Sequence, residues 1–299
     1  ITSNTKAVVN ALDKDVTIYW IVQSDKEDDV IENLLSKYES LSDHIKVEKK
    51  NPDVYPTFAE KYTYEDVDNN SLVVESGDRY RFIGYDDIYL QESNMYSFAY
   101  NTSFDGEGAI TSAIDYVTSE DFPQLYVLEG HGEKDLPSDF RDKIEKENIQ
   151  INNLSLLKVA SVPENAAAVM IYAPASDISE RDKEVLSSYI KSGGKILAAA
   201  GPTENGLLVN LYSLLSDYGV KVNEGMVAEG DREHYAFQLP YILIPNMAQN
   251  DITKSLIAEN YFPLMPIAHG LTIEEAPANA TVSELLTTSD LAFSKNAGY

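Results

Sequence analysis

Cysteine is absent from this 299-residue chain, and tryptophan occurs once. Without a thiol there is no disulfide framework, no iron–sulfur cluster and no cysteine nucleophile. No run of roughly 18 apolar residues occurs, so no transmembrane helix is expected within residues 1–299. Cations are scarce: 23 Lys and Arg stand against 49 Asp and Glu, a formal charge of -26. Such a surface repels a phosphate backbone, and no Arg-rich aromatic stripe offsets it. Nucleic acid is therefore excluded as a partner. Also missing are the HExxH pair, the GxSxG elbow, the Walker lysine loop and the GxGxxG fingerprint. No catalytic set, metal site or cofactor is expected.

What remains describes a folded α/β protein. The apolar fraction is 43% and tyrosine is frequent, at 20 residues. Length favours two domains, expected at 1–119 and 120–299. In the first, Val16 to Val22 is β-branched and aromatic, as a buried strand requires. Residues 26–41 place Val30, Ile31, Leu34, Leu35 and Tyr38 on one helical stripe. A strand over 45–48 and a short helix over 54–62 follow. Strands at 71–75 and 79–84 flank Ser76-Gly77-Asp78, a hairpin spacing. A helix over 106–118 closes a β-α-β-α-β-β-α order, that of a thioredoxin-like domain. The loop that would carry redox thiols reads Gln23-Ser24-Asp25-Lys26, so its chemistry is absent.

The second domain alternates strands and helices, the pattern of a flavodoxin-like or glutamine-amidotransferase-like parallel sheet. Strands are expected at 124–128, 149–154, 167–172 and 195–200. Helices are expected at 137–147, 179–192 (capped by Ser179) and 206–218. Loops 129–136, 173–178 and 201–205 leave the carboxyl ends of strands, the edge where ligand crevices form in open α/β sheets. They carry Gly130, His131, Gly132, Glu133, Asp177, Pro202 and Glu204, the candidate ligand or partner residues. Against that stands a structural reading. In it His131 is a hydrogen-bonded loop residue, Asp177 and Glu204 are caps or solvent-facing acids, and Pro202 shapes a turn. Beyond 225 the pattern weakens. An edge strand is expected at 239–245, and Asp251 is expected to cap a helix over 252–258.

The ordered pieces YVLEGHGE at 126–133, YAP at 172–174 and SERDKEVLSSYIKSGGKILAAAGP at 179–202 carry a family resemblance. LYSLLSDYGVKV at 211–222 and NDIT at 250–253 continue it. The chain resembles the extracytoplasmic region of GldG-type gliding-motility proteins, auxiliary components of uncharacterised ABC transport systems. That resemblance implies a subunit on the extracytoplasmic face of the cell membrane, anchored by segments outside these residues. Its implied partners are an ABC permease and a separate ATPase subunit. Three functional readings stand at this point. They are a non-catalytic accessory domain, a module binding a carbohydrate or other small ligand, and a hydrolase using the 130–133 loop.

Overall fold

The structure is a computed structural model that describes residues 1–94 and 99–296. The chain forms two compact units, Ile1–Pro123 with Ser138–Gln150, and Gln124–Pro137 with Ile151–Tyr299.

In the first unit, strands β1 (Val16–Ile21), β2 (Ile45–Lys50), β3 (Ser71–Ser76) and β4 (Arg79–Ile83) form a sheet of order β2-β1-β3-β4. β1 and β2 are parallel, whereas β3 runs antiparallel to both β1 and β4. Alternation along β1 sends Val16, Ile18 and Trp20 to one face. There they meet Ile31, Leu35 and Tyr38 of the helix Asp29–Leu41 and Ile110, Ile114 and Val117 of the helix Gly106–Thr118. Ile21 and Val73 point to the other face, under Tyr62 and Phe58. This is the thioredoxin-like arrangement.

The helix expected at 54–62 reduces to a single 3-10 turn, Ala59–Lys61. Pro56 removes a donor and restricts Tyr55, while Asn51 O already accepts from Val54 N and Tyr55 N. A short helix, Tyr85–Ile88, and a hairpin, β5 (Tyr89–Asn94) with β6 (Ala99–Phe104), are inserted before the helix Gly106–Thr118. The helix Ser138–Lys146 belongs to this unit although it follows a strand of the other.

At the end of β1, the place that thiols would occupy is tied shut by Asn70. Its Oδ1 accepts from Trp20 Nε1 at 3.1 Å and from Asp28 N at 3.0 Å, and its Nδ2 donates to Lys26 O at 3.0 Å. It is buried, with a φ of 72°, a backbone region that Asn tolerates better than most residues.

The second unit is built on β7 (Gln124–Leu128), β8 (Gln150–Leu154), β9 (Ala166–Tyr172) and β10 (Ile196–Ala199), in the order β10-β9-β7-β8. β9 is parallel to both β7 and β10. Bonds from Gln150 N to Pro123 O and from Glu129 N to Leu154 O align β8 the same way. The flanking helices Glu180–Lys191 and Val209–Ser216 bury Leu186, Leu211 and Leu214 with Val169 and Ile171 of β9. This is the flavodoxin-like parallel sheet.

Beyond it come short antiparallel ribbons, such as Val220–Val222 with Leu271–Ile273 and Met226–Ala228 with Phe293–Lys295. The edge strand expected at 239–245 shrinks to Ile242–Leu243, bounded by Pro240 and Pro245. Asp251 does not cap the helix Lys254–Ala258. Asn250 supplies its O to Lys254 N, and Asp251 pairs with Lys254 Nζ at 2.8 Å instead.

Asn70→Ala leaves a buried indole N–H and a backbone N–H unpaired. It is expected to cost about 2–3 kcal/mol of stability, read by urea unfolding.

Candidate functional site

The order β10-β9-β7-β8 places the change of winding direction between β7 and β9. In an open parallel sheet a crevice opens at that point, beyond the carboxyl ends of the two strands. The loops leaving those ends are 129–136 and 173–178.

The first loop bends on its glycines. Gly130 has a φ of 116° and Gly132 a φ of 72°. A Cβ on Gly132 would stand 2.9 Å from Ala175 Cβ, so conformation and space both require glycine there. The two bends aim His131 back across the sheet end. Its carbonyl accepts from Ala175 N at 3.0 Å, Ser176 N at 2.9 Å and Ser176 Oγ at 3.0 Å, which joins the loops.

The His131 ring is only 9% exposed and has a carboxylate on each nitrogen. Nδ1 lies 2.8 Å from Glu133 Oε1, and Nε2 lies 3.2 Å from Asp182 Oδ2. Glu133 Oε2 also accepts from His131 N at 2.7 Å. Asp182 belongs to a capping box: its N–H donates to Ser179 Oγ at 3.1 Å, and its Oδ2 accepts from Ser179 N at 3.3 Å. Its other oxygen has no hydrogen bond and faces Arg181 Nη1 at 3.8 Å.

The bond to Glu133 raises the His131 pKa; burial opposes it and Asp182 adds to it. Burial pushes Glu133 up, but the ring and backbone N–H of His131 hold it below its ordinary value. Asp182 is likewise lowered: burial is outweighed by Ser179 and then His131. The arrangement is a carboxylate–imidazolium–carboxylate clasp. Both ring nitrogens of His131 are engaged by carboxylates of the chain itself.

Asp177 is tied in next to the clasp. Its Oδ2 accepts from Asn210 N at 2.7 Å, and its Oδ1 accepts from Leu211 N at 3.1 Å and Ile178 N at 2.9 Å. It thereby caps the helix Val209–Ser216, whose own N-cap residue, Leu208, offers no side-chain bond. Asn205 Nδ2 donates to Ala175 O at 2.9 Å, bringing the third loop alongside. Pro202 and Glu204 stand apart, both exposed, and the Glu204 carboxylate makes no bond among the described residues. Asp182 was not among the residues singled out from the sequence. Its signal was there in the Ser179-x-x-Asp182 spacing, which marks a capping carboxylate but not the histidine it meets. No group of three or more potential metal ligands is assembled among the described residues.

Two outcomes follow from this geometry. The His131 contribution to stability is complete below its ordinary value of 6.5 and is lost as pH rises through the higher folded value. The Glu133 and Asp182 contributions are complete above 4.5 and 3.8 and are lost as pH falls through their lower folded values. Urea unfolding from pH 5 to 9 should show a decline on the alkaline side. His131→Gln should remove that decline and cost about 3 kcal/mol at pH 6. Gly132→Ala should cost about 1–3 kcal/mol at every pH, from backbone strain.

Comparisons with known proteins place the chain in context. Residues 123–297 match a family described as an ABC-type uncharacterized transport system, and residues 1–89 match a domain of unknown function, DUF7088. No curated protein matches significantly. Among solved structures, the mmIFT52 N-terminal domain is similar at 20% identity and a TM-score of 0.43. That alignment covers 56% of this chain and 74% of the other, a likeness too loose to extend the description of the fold. The match to the transport family spans the parallel sheet, the clasp and the ribbons beyond them, and on that match the chain belongs to the family of auxiliary components of ABC-type uncharacterized transport systems.

Proposed function

We propose that this chain is the extracytoplasmic part of an accessory subunit that holds an ABC permease and a separate ATPase subunit in one assembly. Its association with an ABC transport system follows from the family, and its accessory role is non-catalytic. The observation that carries the finer reading is the engagement of both His131 nitrogens at the switch point of the sheet. The histidine at this point is committed to the chain's own carboxylates. Contacts are therefore made through the outer surfaces of the loops, where Pro202 and Glu204 are exposed.

ATP hydrolysis falls to another subunit, because the chain has no Walker lysine loop. No helix among the described residues is long and apolar enough to cross a membrane, so tethering falls to a segment outside them or to a partner.

The test is purification of the full-length protein from its native membranes in mild detergent, with identification of whatever accompanies it. A permease and an ATPase in comparable amounts are the expected companions. Recovery of the protein alone, in the soluble fraction, overturns the proposal.

A further inference from the structure

Arg81, on β4, is half-buried, and its guanidinium lies 4.0 Å from the centre of the Tyr116 ring. Nη1 donates to Ser112 Oγ at 3.2 Å and to Asn148 Oδ1 at 3.0 Å. A guanidinium has five N–H donors. The three on Nε and Nη2 make no bond among the described residues, and those nitrogens are not sealed from solvent. Among the described residues Arg81 also forms no ion pair, in a chain where acids outnumber bases 49 to 23. An arginine so placed normally finds a carboxylate, because its planar fork matches two carboxylate oxygens.

Arg81 lines a cavity of about 470 Å³ within the first unit. Asp105 lines it too, from the N-cap position of the helix Gly106–Thr118, where its side chain makes no capping bond. Ile83 and Ala109 give the wall an apolar stretch. Around the whole wall, Arg81, Lys143 and Lys146 face five carboxylates, a net charge of -2. That balance discriminates among ligands. A dianion meets repulsion from the wall, and a simple diamine leaves the free edge of Arg81 unused.

We propose that this cavity binds a zwitterionic ligand of the amino-acid class, with its carboxylate on Nε and Nη2 of Arg81 and its ammonium on Asp105. The apolar stretch at Ile83 and Ala109 takes the side chain. The negative balance of the wall favours basic members of the class over acidic ones.

The test is calorimetric titration of the intact chain with lysine, leucine, glutamate, succinate, putrescine and inorganic phosphate as separate probes. Lysine and leucine are expected to bind, lysine more tightly, with glutamate weaker than both. Succinate, putrescine and phosphate should each be at least about tenfold weaker than lysine. Asp105→Asn and Arg81→Gln should each weaken lysine binding at least about tenfold. Arg81 also packs on Tyr116, so its variant could lose stability. Asp105→Asn then carries the test, because that carboxylate makes no bond among the described residues. The proposal is overturned if neither lysine nor leucine gives heat, or if Asp105→Asn binds lysine as the parent does. It is equally overturned by phosphate or succinate binding as tightly as lysine, which describes a plain anion site, or by putrescine doing so, which describes a plain acidic site.

Discussion

A buried imidazole with a carboxylate on each side is most stable while it keeps its proton, because the neutral ring leaves one nitrogen without a hydrogen to share. In the second unit this condition governs three pieces of chain at once: the glycine-bent loop after β7, the loop after β9, and the first turn of the helix Glu180–Lys191. The first supplies His131 and Glu133, the last supplies Asp182, and the loop after β9 is joined to them through the His131 carbonyl; one Asp182 oxygen is left without a hydrogen bond. The effect of the cluster is to tie the loop after β7 to the first turn of the helix Glu180–Lys191 at the end of the sheet.

The first unit reaches a comparable result by uncharged means. Where a redox domain would display a reactive pair, Asn70 joins Trp20, Lys26 and Asp28. Asp28 in turn accepts from Val30 N and Ile31 N at the start of its helix, and from Tyr89 OH. Both units thus keep an architecture often associated with chemistry while committing the relevant loop ends to structural bonds. This agrees with an accessory role in which surfaces, and not reactive groups, do the work.

The strands of both sheets could be read from the sequence because β-branched and aromatic runs such as Val16 to Ile21, and apolar runs such as Ala166 to Tyr172, have no competing pattern. The 179–192 helix was legible for a similar reason: Ser179 opens it and Gly193-Gly194 closes it. Two kinds of feature were not legible. Pro137 marks the start of the helix Ser138–Lys146 but says nothing about which unit that helix joins. Spacing likewise puts His131 beside Glu133, yet Asp182, 51 residues further on, meets it only through the fold. The failures at 54–62 and 239–245 share a cause, since proline there breaks backbone patterns that side-chain composition alone would support. Asp251 was expected as a cap on residue type. Thr253 holds the cap position without a side-chain bond, and Asn250 closes the preceding turn, its carbonyl accepting from Lys254 N and its amide oxygen from Ile252 N.

The cap on the helix Val209–Ser216 also bears on how the unit assembles. At eight residues this helix is too short to persist alone in water, and the side chain that holds its first amides lies 33 positions upstream. Asp177 can be in place only once β9 has joined the sheet and its following loop has settled. The helix therefore takes its N-terminal support from a loop that a distant strand positions. Local opening of that loop would release the helix with it, making the two segments one cooperative element despite their separation along the chain.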